Sequence, residues 1–415
     1  MFSKQEKILL GILATIQFSS IVDFMIMMPL GPQLMRMFAI TPHQFGLLVS
    51  SYTFSASISG FLASFFVDKF DRKTSLLFFF FGFAIGTIAC ALSPNYELLL
   101  TARGLTGIFG GVLSSLVLSI VSDAISYERR GSAMGVIMTS FSMASILGVP
   151  FSLFLANEFS WHAPFTFLGV LSLFLCFVIW KYVPEMRVHL LEKREKEPIH
   201  RVLTRIIHNQ NQRRALFFMA AVMFGHFAII PFLSPSLVAN VGMTEQQLPL
   251  MYMAGGLCTI FSSPFIGRLA DRFGKHKIFL WGALITILPY WVITHMGQTP
   301  LWLTLAICAF FFVSSGGRMI PATALVSGTS LPQNRGSFMS IVSCVQQMAA
   351  AVSSYIAGLI ITTGPNGHLD NYNVVGYIAV VFTFVAIYLS RRIHAIESAP
   401  TKAEADTAHI GEPVV

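Results

Sequence analysis

Twelve apolar runs follow one another along the 415-residue chain, at roughly 8–31, 44–67, 75–93, 97–122, 132–156, 163–183, 215–238, 246–269, 277–296, 300–325, 337–362 and 372–391. Hydrocarbon about 30 Å thick is crossed by a helix of roughly 20 apolar residues, so each run is long enough to span a bilayer. The polar interruptions are short except in the middle and at the end. The pattern predicts an all-α integral membrane protein with twelve transmembrane helices in two six-helix bundles, 1–183 and 215–392. A basic linker, 184–214, joins them, and a tail, 393–415, rich in Ala, Thr, Glu and Pro, is expected to be disordered. Within the linker Ile199, Val202, Leu203, Ile206 and Ile207 recur at helical spacing among Arg201, Arg205 and Arg213. That predicts a helix lying either on the lipid headgroups or in solvent.

Composition agrees, because 54% of the residues are hydrophobic and only 11% charged, too few to cover a water-soluble surface. The net charge of +8 has a topological meaning once its distribution is read. Arg103 and Arg318 lie inside apolar runs, Arg36 stands alone on one set of alternating connections, and every other Lys and Arg falls on the other set or the ends of the chain. The positive-inside rule therefore places both termini in the cytoplasm and leaves no reason to expect nucleic acid as a partner. The first run has no small-residue cleavage site, so no cleavable signal peptide is expected, and a bacterial inner membrane is the expected location. Cys90, Cys176, Cys258, Cys308 and Cys344 lie singly in apolar runs, so neither a metal nor a cofactor is expected. No paired carboxylates, metal ligands or Ser/His/Asp set meet in the short loops, which argues against an enzyme.

One stretch occurs twice. Gly60-Phe-Leu-Ala-Ser-Phe-Phe-Val-Asp68-Lys-Phe-Asp-Arg72-Lys73, between the second and third runs, returns between the eighth and ninth as Ser263-Pro-Phe-Ile-Gly-Arg-Leu-Ala-Asp271-Arg272-Phe-Gly274-Lys275-His-Lys277. Arg130-Gly-Ser-Ala-Met134 and Arg335-Gly-Ser-Phe-Met339 form a second pair at matching places. The chain is thus two homologous halves, and two halves of paired three-span units is the plan of many secondary transporters, with the site near the midplane between them. The first helix of each three-span unit should face that cavity, and each carries an ionisable residue: Asp23, Arg103, His226 and Arg318. An isolated charge in hydrocarbon costs at least ~2.5–3.5 kcal/mol, so such residues face water, a partner or cargo.

Helical rise places Asp23 roughly 10 Å below the outer end of the first span and Arg103 about 9 Å down the fourth, at one level. The two are expected to meet, as a titratable carboxylate whose proton affinity depends on its arginine. His226 falls about 17 Å into the seventh span, where an imidazole suits proton exchange. Arg318, after Gly316-Gly317 and before Pro321, puts a cation in the cytoplasmic half of the cavity, suited to an anionic group on cargo or to a balancing acid. Phe24, Met25, Phe141, Tyr252 and Gln346 are expected among an adaptable cavity lining. In the repeated loop, Asp68 is expected to cap a neighbouring helix and Arg72 to pair with Asp123, as a cytoplasmic gate that includes Asp271.

The repeated loop resembles the signature loop of the major facilitator superfamily. Gly60, Asp68, Arg72 and Lys73 match its first copy, and Asp271, Arg272, Gly274 and Lys275 its second. Asp71 stands where the family usually has Gly. Arg103-Gly-Leu-Thr-Gly107 resembles the family's span-four Arg-x-x-x-Gly element, implicated in proton coupling. Gly148-Val-Pro150 resembles the Gly-x-Pro element of antiporters, and Asp23-Phe-Met-Ile-Met-Met-Pro29 the span-one Asp element of drug and sugar exporters. The resemblance implies the major facilitator fold in a monomer, moving small amphipathic or drug- or sugar-like molecules outward against protons by alternating access. Proton-coupled uptake of a small metabolite is the nearest alternative, and a transport-dead membrane sensor an alternative of another class.

Overall fold

The computed structural model describes residues 2–126, 129–186, 199–331 and 335–394. Among them twelve helices are long and apolar enough to cross a membrane. Spans 1 to 6 are Lys4–Ile26, Pro42–Ala63, Arg72–Ala91, Tyr96–Ala124, Arg130–Glu158 and His162–Tyr182. Spans 7 to 12 are Gln210–Val241, Glu245–Phe273, Lys275–His295, Leu301–Ser327, Arg335–Ile360 and Tyr372–Ser390. An even number of crossings puts both ends of the described chain on one side, called here the termini side; the other is the distal side.

Local chemistry sets where the helices begin. Ser3 and Glu6 form a reciprocal capping box at span 1, Thr41 and Gln44 another at span 2, and the Asn95 side chain accepts from Leu98 N–H at span 4. Span 1 stops at Ile26, short of the expected 31. The chain turns through Met27 to Leu30 and restarts as a helix over Gly31–Met37 with Pro32 in its first turn. Pro29 and Pro32 have no N–H to extend the first helix, and the missing donors mark the break. Spans 5 and 7 each contain a wide turn, Ala144–Gly148 and Leu237–Val241. The first lies directly before Pro150, whose ring cannot donate to a carbonyl one turn back.

The three largest apolar cores among the described residues show where the halves meet and where they do not. The largest joins both halves on the distal side, with Met28, Leu34, Phe45, Leu99 and Trp161 from one and Phe232, Leu237, Met251, Phe311 and Tyr372 from the other. On the termini side each half has its own core: Leu13, Phe80, Leu116 and Ile179 in the first, Phe218, Phe279, Val326 and Phe338 in the second. The halves are therefore closed at the distal side. Along the seam, Ser57 Oγ of span 2 donates to the Cys344 carbonyl of span 11 at 2.8 Å, and the ring of Phe45 meets that of Phe232 edge to face at 5.6 Å. A two-residue antiparallel pair, Thr362–Thr363 with Leu369–Asp370, closes the loop before span 12.

In the connecting stretch, Ile199–His208 is a helix. Its Leu203 and Ile206 pack into the second half's core while Ile207 stays exposed. Span 7 begins at Gln210, capped by Asn209, so the polar connection ends earlier than the expected 214. From 395 onward the tail lies outside the described residues.

Candidate functional site

Asp23 and Arg103 meet inside the first half. Arg103 Nη1 donates to Asp23 Oδ2 at 2.8 Å and also lies 3.4 Å from the Asp23 carbonyl oxygen. Thr87 of span 3 donates its hydroxyl to the other carboxylate oxygen at 3.1 Å. The guanidinium carbon sits 4.5 Å from the centre of the Tyr52 ring on span 2, close enough for a cation–π contact. Both charged side chains are buried, at 0% and 1% exposure, so water screens neither. Arg103 Nε has no hydrogen-bond partner among the described residues. Four spans thus converge on one ion pair.

The helix behind the pair is set by a close approach. A Cβ on Gly148 would collide with the side chain of Val22, the residue before Asp23, so only glycine lets span 5 lie this close to span 1. Pro150, two residues on, is buried and fixes the bend.

In the second half, Arg318 on span 10 is 1% exposed and reaches three other spans. Its Nη2 donates to Tyr290 Oη at 2.6 Å and to the Val222 carbonyl at 3.3 Å, and its Nη1 to Thr383 Oγ1 at 3.2 Å. His226 stacks on the Phe311 ring, with centroids 6.0 Å apart and planes 11° apart. Its Nδ1 is buried without a hydrogen-bond partner among the described residues. Asp23 and Arg103 therefore bond to each other in one half, His226 and Arg318 both lie in the other without a bond between them, and no direct bond joins the two pairs among the described residues.

The repeated loop behaves differently in its two copies. In the first, Arg72 is 2% exposed and its Nε donates to Asp123 Oδ2 at 2.9 Å. Asp71 caps span 3, with Oδ1 accepting from Thr74 N–H at 3.0 Å, whereas the cap expected of Asp68 falls on a side chain outside the described residues. Asp71 Oδ2 also accepts from Met186 N–H at 2.7 Å, which ties the loop to the exit of span 6. Asp71 does this because a carboxylate has two acceptor oxygens where glycine has none. Asp68 lies in a short turn over Val67–Lys69, and its side chain is outside the described residues. Gly60 faces the Gly111 carbonyl of span 4, and Lys73 is half-buried. In the second copy Asp271, Arg272 and Lys275 are exposed, and no ion pair involves them among the described residues. Gly274 there adopts φ +92°, a left-handed turn that passes the chain from span 8 into span 9. The Arg72–Asp123 bond lies within the first half and does not bridge to the second.

Sequence reasoning missed an ion pair that does cross. Arg36, after span 1, donates from Nη1 to Glu245 Oε1 at 2.6 Å and from Nη2 to Oε2 at 3.0 Å, at the start of span 8. The Glu245 hydrogen bonds raise the Arg36 guanidinium above its ordinary pKa. Its signal was available, since Arg36 is alone among the basic residues on those connections. Of the expected lining residues, Tyr252 is buried and shares a hydrogen bond of 3.0 Å with Ser234, whereas Phe141 is 58% exposed.

Twelve spans in two homologous halves, with buried charges on their leading helices, define a membrane transport protein. The Major Facilitator Superfamily sequence pattern matches residues 13–236 and again 215–414, and the chain belongs to that family. It is an integral membrane transporter and not an enzyme. Similar proteins include the uncharacterized MFS-type transporter YceJ of Bacillus subtilis (strain 168), 24% identical over 350 residues that cover 81% of this chain and 85% of that one. The multidrug resistance protein MdtG of Salmonella paratyphi B (strain ATCC BAA-1250 / SPB7) is 26% identical over 311 residues, 72% of this chain and 75% of that one. Among solved structures, a bacterial homologue of the human lysosomal transporter Spinster, inward-facing and unoccupied, superposes with a TM-score of 0.73 at 14% identity, covering 96% of this chain and all of that one. A D-xylose–proton symporter gives 0.73 at 17% identity over 94% and 98% of the two chains. These structures share the fold.

Proposed function

We propose that this transporter exports small amphipathic molecules across a bacterial inner membrane in exchange for protons, with both termini in the cytoplasm. The observation that carries the reading is the sealed Asp23–Arg103 pair. While Asp23 is ionised, it and Arg103 cancel each other inside the bundle. A proton arriving on Asp23 removes that balance and leaves a buried guanidinium seeking another acceptor, which favours whichever state of the transporter supplies one. The pair thereby links proton occupancy to the position of the halves, the differential interaction that any coupled cycle requires. Span 5, held against span 1 at Gly148, carries that change to the seam.

Export is supported by the Gly148-Val-Pro150 element and by likeness to a multidrug resistance protein. The distal side, closed here, is on this reading the periplasmic face, and the basic connections lie opposite it. The test is transport by purified protein in sealed vesicles with an imposed pH difference, using a panel of lipophilic dyes. Gradient-driven dye movement opposite in direction to proton flow is expected of the wild type and lost in Asp23→Asn. Gradient-driven accumulation by Asp23→Asn equal to wild type refutes the coupling role, and dye moving with the proton refutes export.

A further inference from the structure

Among the described residues no acid pairs with Arg318. In the second half the only acidic residues up to span 12 are Glu245, Asp271 and Asp370. Glu245 opens span 8 and is taken by Arg36, Asp271 is exposed at the termini side, and Asp370 lies exposed in the loop before span 12. Every partner of Arg318 among the described residues is neutral: a phenol, an alcohol and a backbone carbonyl. The contrast with Arg103, equally buried but paired with Asp23, is direct. A buried guanidinium in that position retains a large unmet demand for an anion.

Unused donors surround it. Arg318 Nε and Ser315 Oγ are buried and unpartnered, on side chains 1% and 8% exposed, and His226 Nδ1 is likewise unpartnered. Phe311, Ser315 and Arg318 follow at spacings of four and three, so they share one face of span 10. On span 7, Val222 accepts from Arg318, and His226, one turn further on, stacks on Phe311. Ser315 therefore sits at the level between these two contacts, so the three unused polar atoms belong to side chains on one short stretch of spans 7 and 10.

We propose that this cluster is the docking point for the anionic group of the cargo. The site carries one full positive charge and three single hydrogen-bonding atoms, which suits a monoanion, a carboxylate in the first place, better than a dianionic phosphate. The inference rests on the transporter reading above and narrows its cargo to molecules bearing a carboxylate on an apolar body, the Phe311 ring lying beside the site.

Purified full-length protein in detergent is melted with sodium benzoate, with benzamide and with sodium chloride at equal concentration. Benzoate is expected to raise the unfolding midpoint by roughly 2 °C near saturation, while its neutral amide and chloride leave it unchanged. The rise is expected to vanish in Arg318→Gln and to shrink in His226→Ala. Absence of a rise with benzoate, an equal rise with benzamide or chloride, or a full rise in Arg318→Gln overturns the proposal. If Arg318→Gln fails to fold, Ser315→Ala leaves the Arg318 contacts in place; a reduced rise supports the site and an unchanged one overturns it. The measurement needs no gradient. Benzoate binding without proton-driven movement would leave the anion site standing and remove the coupling role of Asp23.

Discussion

Arg36 grips Glu245 across the boundary between the halves with two parallel bonds, of 2.6 and 3.0 Å. The Glu245 carbonyl also accepts from Asn157 Nδ2 at 3.2 Å, so the start of span 8 is held from both ends of the first half's distal rim. These bonds join the two halves at the distal side, so opening on that side is expected to break them. The Arg36 side chain is 64% exposed, and a surface pair of this kind contributes about 0–1 kcal/mol. Arg36→Gln is therefore expected to shift the equilibrium toward the distal-open state by up to about five-fold. Arg36→Glu should act more strongly, through like-charge repulsion. Spin-label distances between the distal ends of spans 1 and 7 report the shift; unchanged distance distributions in both variants would show that the clasp has no conformational role.

The Asp23–Arg103 pair calls for a double-mutant cycle. Both side chains are buried, so removing one leaves the other charged and unpaired, at a cost of about 3–5 kcal/mol. Asp23→Ala and Arg103→Ala are each expected to lower the unfolding midpoint. The double variant should be more stable than the two single losses added together, because no lone charge remains. Thermal melts of the four proteins in one detergent measure this, and strict additivity would mean that the two groups do not interact in solution.

Much of the site could be read from the chain because charge in an apolar run is conspicuous. Depth along a helix follows from counting residues, and that arithmetic put Asp23 and Arg103 at one level. It could not supply helix rotation. Tyr52 and Thr87, which complete the first pair, and Tyr290, Val222 and Thr383, which hold Arg318, lie in runs where apolar residues face both lipid and protein, so no polar face orients them. Asp71 looked like a departure from a turn-forming glycine, and its role as cap depended on where span 3 begins, a boundary that hydropathy leaves loose. Arg36 and Glu245 are 209 positions apart in different halves, a distance that no local spacing rule bridges.

The close approach of span 5 to span 1 can be tested by volume. A Cβ at Gly148 meets the Val22 side chain, whereas one at Gly131 meets nothing within 4 Å. Gly148→Ala is expected to cost about 1–3 kcal/mol through overpacking, and because Val22 precedes Asp23 it should also disturb the ion pair and lower transport. Gly131→Ala near the start of span 5 serves as the control and should change neither, apart from the small gain in helix preference that alanine brings. Removing the obstacle supplies the decisive comparison. In Gly148→Ala combined with Val22→Ala, the added methyl occupies space vacated by the valine, so stability and transport should recover part of the loss. Melting midpoints and initial transport rates of the three variants and the wild type measure the coupling. If Gly148→Ala behaves like Gly131→Ala, spans 1 and 5 do not touch at this point in the working protein, and the route from Asp23 to the seam must run elsewhere.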